Sequence, residues 1–145
     1  IDASSIDTGN PQRDGHLLSG DFFETEQFPQ ITFISTDVAR DGQEWSITGD
    51  LTIKGVSRPV TVAFEETGSA KDPFGNDRIG LEGVATLNRK DWGLTWNAAL
   101  ETGGVLVSDK IKLEFDVSAI KSAPAEEAPE ATTVAGEPTE TAKIA

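Results

Sequence analysis

His16 is the only histidine of the chain, and the sequence contains no cysteine. A lone imidazole excludes paired-histidine metal sites and leaves a serine or cysteine nucleophile without a triad. Its place after Arg13 and Asp14 suggests a hydrogen-bonding role in the structure or at a pocket edge. Glu65 and Glu66 are the other obvious pair, but adjacent residues of a strand point to opposite faces, so they cannot share a proton as a carboxylate dyad. The stretch DPFGND, 72–77, lacks the oxygen-ligand spacing of a calcium loop. No G-x-S-x-G, P-loop or dinucleotide glycine motif occurs. In NRKDWG, Arg89 and Asp91 read either as an ion pair fixing a tight turn or as polar groups that orient a ligand head. Trp92 and Trp96 read as a core plug or as ligand contacts. No catalytic residue, metal site or cofactor emerges from these types and spacings.

The elements that must position them centre on Gly49 to Phe64, GDLTIKGVSRPVTVAF, where apolar and polar residues alternate on both sides of a short loop. A four-residue loop from Gly55 to Arg58 would set Ile53 against Val60, Leu51 against Val62 and Gly49 against Phe64, with the ring covering the glycine. Asp50, Thr52, Thr61 and Ala63 fall on the wet face. The alternation begins at Trp45 and Ile47. Upstream, Asn10 and Pro11 predict the capped start of a short helix to about Ser19, closed by a left-handed Gly20. Phe22, Phe23 and Phe28 are expected to plug one end of the structure. Gln30 to Ala39 predicts a strand with Ile31 and Phe33 on one face and Ile34 and Val38 on the other, followed by an Asp41-Gly42 turn. Arg78 to Asn88, light on bulk, is a further strand. Ala98 to Val107 predicts a short strand with a Gly103-Gly104 turn, and Asp109 to Ile120 the last strand, with Ile111, Leu113, Phe115 and Val117 on one face.

A length of 145 residues fits one domain, and 37% hydrophobic residues suffice for a single core. With 25 acidic and 12 basic residues the net charge is −13, which disfavours nucleic acid and anionic lipid surfaces as partners. No segment reads as a membrane span, so stable membrane insertion is not expected. From Lys121 to Ala145 the composition shifts to 7 Ala, 5 Glu, 4 Thr and 3 Pro among 25 residues, a tail expected to be disordered and dispensable.

Five segments together resemble the YceI-like family of polyisoprenoid-binding proteins. They are IDTGNPQRDGHLLSGDFF at 6–23, FPQITF at 28–33, GDLTIKGVSRPVT at 49–61, DPFGN at 72–76 and LNRKDWGLTWNAALETGGVLVSD at 87–109. The resemblance spans nearly all of 1–120. It implies an all-β fold, an antiparallel lipocalin-like β-barrel of about eight strands, of which about six are readable here beside the short helix. It also implies a non-catalytic carrier whose interior holds a polyisoprenoid or isoprenoid quinone-like lipid. The lipid-binding residues expected on that basis are Ile47, Leu51, Ile53, Val60, Val62 and Phe64, with Leu81, Leu113 and Phe115 beside them. The alternatives are an enzyme acting on such a lipid and an interaction domain whose interior is filled by side chains. The family pattern includes upstream strands, so residues 1–120 alone are expected to form an open half barrel that dimerises through its gap. The compartment is left open between cytoplasm and periplasm or exterior.

Overall fold

The alternation becomes five antiparallel strands whose order in the sheet is their order in the chain. In the computed structural model, which describes residues 1–121, they are β1 Thr32–Asp41, β2 Glu44–Ile53, β3 Val56–Lys71, β4 Asp77–Asn88 and β5 Lys110–Ile120. Among the described residues β1 and β5 do not pair, so the sheet is open. The tail expected to be disordered lies, beyond Lys121, outside the described residues.

The central hairpin turns more tightly than its loop chemistry suggested. Lys54 and Gly55 both have positive φ, 47° and 74°, and form a two-residue turn. Ile53 therefore pairs with Val56, Leu51 with Arg58, Gly49 with Val60, Ile47 with Val62 and Trp45 with Phe64. Pro59, the residue that argued for a longer loop, sits opposite Asp50 inside the strand. The β3–β4 ladder begins only at Ala63 and Val84, so the missing N–H of Pro59 leaves no β4 carbonyl short.

Opposed residues of an antiparallel ladder share a face, so the pairing defines rows across the sheet. Val38, Ile47 and Val62 form one apolar row, Ala85 pairs with Leu113, and Arg40, Trp45, Phe64, Gly83 and Phe115 form a row across all five strands. The reading of β1 requires correction. A bulge between Ser35 and Asp37 brings Val38 to the face of Phe33, leaving Ile34 alone outside at 67% exposure. The opposite face carries Asp41, Glu44, Glu65, Glu82 and Asp116 in one row, one carboxylate from every strand.

Glycines make two of the apolar contacts possible. The Phe64 ring lies where a Cβ of Gly83 would be, and the Phe33 ring lies 2.6 Å from the Cβ position of Gly49. The aromatic cover expected for Gly49 is thus supplied by Phe33, while Phe64 covers its own opposed glycine. Gly83→Ala is expected to displace Phe64 and lower stability by about 1 to 3 kcal/mol in urea titration. Gly15→Ala, in the helix with open space around it, should instead stabilise by about 0.5 to 1 kcal/mol.

The helix α1, Pro11–Leu18, starts as expected, with Asn10 Oδ1 accepting from the N–H groups of Gln12 and Arg13. It ends at Ser19 without a left-handed Gly20; the positive φ falls later, at Glu24. The segment after it covers the β2–β3 turn. Lys54 Nζ donates to Gly20 O at 2.7 Å, and the Phe28 ring packs against Gly55. Ile1 to Ala3 pair backbone to backbone with Pro29 to Ile31. The sixth strand is reduced to a bridged turn. Gly103 and Gly104 take φ of 89° and 91°, and only Ala99 and Val105 form a bridge. Asn97 meets both polar backbone groups of Val107 with its side chain, replacing ladder bonds.

Candidate functional site

The apolar face has one closed end and one open end. At the closed end Phe22, Leu51, Leu87, Trp92 and Leu94 form the buried core, with Leu17, Phe23, Trp96 and Leu113 packed on it. Trp92, on the short 3-10 helix Arg89–Trp92 that follows β4, is 4% exposed and donates Nε1–H to Leu51 O at 3.0 Å. His16 sits edge-on to Trp96 and Phe22, at centroid distances of 4.5 and 5.1 Å, with Nε2 2.8 Å from Asp21 Oδ2. Its role is to hold α1 against the plug.

Arg89 is the polar centre of this end. It is 6% exposed, and its guanidinium donates to Ser108 O at 2.9 Å, Leu94 O at 2.6 Å and Trp96 O at 2.8 Å. Its carboxylate partner is Asp109, at 3.4 Å, which also pairs with Lys90 at 2.9 Å. The expected Arg89–Asp91 pairing is therefore replaced. Asp91 is exposed and contributes its carbonyl, which accepts from Arg58 Nε at 3.2 Å. Arg89 fastens the 94–109 segment over the core.

At the open end Trp45, Phe64 and Phe115 occupy one row, with the Phe64 and Phe115 centroids 5.7 Å apart. Val38 is 52% exposed, and on the same edge strand Phe33, opposite Leu51 of the closed end, is 39% exposed. Three residues that the sequence did not bring together meet here. Glu66, opposite the buried Leu81, faces inward and accepts from Arg40 Nη2 at 2.9 Å and from Trp45 Nε1 at 3.2 Å. Arg40 also stacks on the Trp45 ring, 4.6 Å from its centroid. The only sequence signal was the closeness of Arg40 and Trp45 across the Asp41-Gly42 turn; Glu66 joins them through register alone. Glu65, on the other face, opposes Glu82, so the two neighbouring glutamates are separated as strand geometry requires.

The expected lipid-contact residues thus divide between the two ends. Leu51, Ile53, Val60 and Leu113 belong to or pack against the closed core, whereas Ile47, Val62, Phe64, Leu81 and Phe115 lie toward the open half. Val62 and Leu81 are buried, at 2% and 7% exposure. A trough of about 1010 Å3 is lined by the outward-facing Ser46, Ala63, Val84 and Glu114, by all five carboxylates of the acidic row, and by the Arg40–Trp45–Phe64–Gly83–Phe115 row between them.

The 72–77 loop spends its carboxylate internally. Asp72 accepts from the Asn76 side chain, from Asn76 and Phe74 N–H and from Arg78, and the Asn76 bonds lead in holding its pKa at about 2. Because this pKa lies below the ordinary 3.8, the contribution of Asp72 is fully present above about pH 4 and is lost as pH falls toward 2. Amide exchange at Phe74 and Asn76 is expected to lose protection in that window, and Asp72→Asn should remove the pH dependence.

A family model described as a YceI-like domain matches residues 1–119, and the chain belongs to that family. A UPF0312 protein of Staphylococcus aureus is 43% identical over 112 residues, 77% of this chain and 63% of the relative. Protein YceI of Escherichia coli O157:H7 is 45% identical over 94 residues, 65% of this chain and 49% of the relative. The chain therefore spans less than two thirds of the length of these relatives. Among solved structures, the YceI protein of Campylobacter jejuni superposes with a TM-score of 0.73 at 32% identity, covering 85% of this chain and 70% of that one. BcnA of Burkholderia cenocepacia superposes with a TM-score of 0.69 at 27% identity, covering 82% and 70%. The names of these relatives state no enzymatic activity.

Proposed function

We propose that the chain binds a polyisoprenoid, or an amphiphile with an isoprenoid tail, along the apolar face of its sheet and performs no chemistry on it. The observation that carries this reading is the continuous apolar surface closed at one end by the Phe22–Trp92 core and left uncovered toward Phe33, Val38 and the Trp45–Phe64–Phe115 row. Each methylene removed from water contributes about 0.8 kcal/mol, so a few isoprene units laid on such a surface supply gross affinity without a charged contact. Ile47, Phe64 and Phe115 form the contact surface in this reading, with the buried Val62 and Leu81 beneath it and Leu51, Ile53, Val60 and Leu113 the floor at the closed end. When no lipid is bound, the same surface is available for pairing with a second copy.

Mass spectrometry of organic extracts from the purified chain tests this directly. Recovery of an isoprenoid lipid is the expected result. Recovery of no apolar ligand, together with failure of the delipidated chain to take up an added isoprenoid, would leave an interaction domain as the better reading.

A further inference from the structure

The Arg40–Trp45–Glu66 cluster has more donors than it uses, and it stands at the open end of the apolar face. Arg40 Nε donates to Gly42 O at 2.9 Å and Nη2 to Glu66 Oε2 at 2.9 Å. A guanidinium carries five N–H groups. Three therefore have no protein acceptor among the described residues, and the Arg40 side chain is 51% exposed. The group is nevertheless held firmly by two hydrogen bonds and the face of Trp45, whose own N–H is fixed on the same Glu66 oxygen. Donors held in place in this way bind an acceptor with little further ordering.

We propose that Arg40 is the head-group donor of the lipid site and that it selects an isoprenoid with an uncharged oxygen acceptor, a hydroxyl or carbonyl, over one with a phosphate or diphosphate. This rests on the lipid reading given above. The choice of head follows from charge. Glu66, only 13% exposed at its side chain, already neutralises Arg40, and a phosphate reaching the free N–H groups would approach that carboxylate. Asp41, next to Arg40, and Glu65, next to Glu66, add to a chain whose net charge is −13. A neutral oxygen needs the donors alone and meets no such repulsion. The row order supports the placement: Arg40 and Trp45 continue the line of Phe64, Gly83 and Phe115, one row beyond Val62.

Three probes with one tail separate head from tail: geranylgeraniol, geranylgeranyl diphosphate and the hydrocarbon of the same chain, each titrated into the delipidated full chain. Wild type is expected to bind the alcohol most tightly. Arg40→Met, which keeps a stem over Trp45 but removes every donor, should weaken the alcohol about tenfold and leave the hydrocarbon unchanged. Glu66→Gln should raise affinity for the diphosphate. Equal losses for alcohol and hydrocarbon in Arg40→Met, or no loss in either, would overturn the assignment while preserving the lipid reading. A wild-type preference for the diphosphate would overturn the choice of head. Binding of none of the three would overturn the lipid reading and this inference with it.

Discussion

Arg89→Met is expected to unfasten the closed end of the sheet and cost about 3 to 5 kcal/mol in denaturant titration, the range for breaking a buried, hydrogen-bonded charge. Three backbone carbonyls, of Leu94, Trp96 and Ser108, lose their donor together, and methionine offers nothing in exchange. Arg89→Lys should recover little, because one ammonium cannot replace a planar fork that reaches three acceptors in different directions. The 94–109 segment carries Leu94, Trp96 and Val107 onto the core, so the loss extends beyond polar contacts. A variant that melts with wild type would mean that the segment is held by packing alone.

Val62→Asp should have the second large effect. Val62 is 2% exposed on the apolar face, opposite Ile47. A carboxylate there has no donor facing it and will be protonated or drag in water, at a cost of about 3 kcal/mol or more. Binding of added isoprenoid should disappear with it. Thr52→Asp, on the wet face between Thr32 and Ser57, should be nearly silent in both measurements. If the Thr52 variant lost lipid and the Val62 variant kept it, the bound molecule would lie on the outer face.

The face that Val62 occupies was legible from the sequence even though its partner was not. The expected register placed Leu51 against Val62, and the structure places it against Arg58, four positions away. With a side-chain period of two, an error of four returns every residue to the same face. The capped start of α1 was readable because Asn and Pro act locally. The bulges near Thr36 and Thr67 were not, since the strand-poor residues beside them, Asp37 and Gly68, have counterparts in regularly paired positions such as Asp50 and Gly80. The partners of Arg89 were hidden for another reason. Its buried acceptors are carbonyls of the main chain, which every residue possesses, so no side chain in the sequence marked them. The Arg40–Glu66 contact joins residues 26 positions apart on strands that are not neighbours, and only the correct register reveals it.

The carboxylate row on the outer face has a consequence for how the molecule meets other molecules. Asp41, Glu44, Glu65, Glu82 and Asp116 stand on successive strands. Adjacent strands are about 4.8 Å apart, well inside the screening length of about 10 Å at 0.1 M salt. Like charges opposed across strands weaken the pairing in dilute buffer, and added electrolyte screens them. The same fence of charge opposes stacking of the outer face on a like face of another sheet.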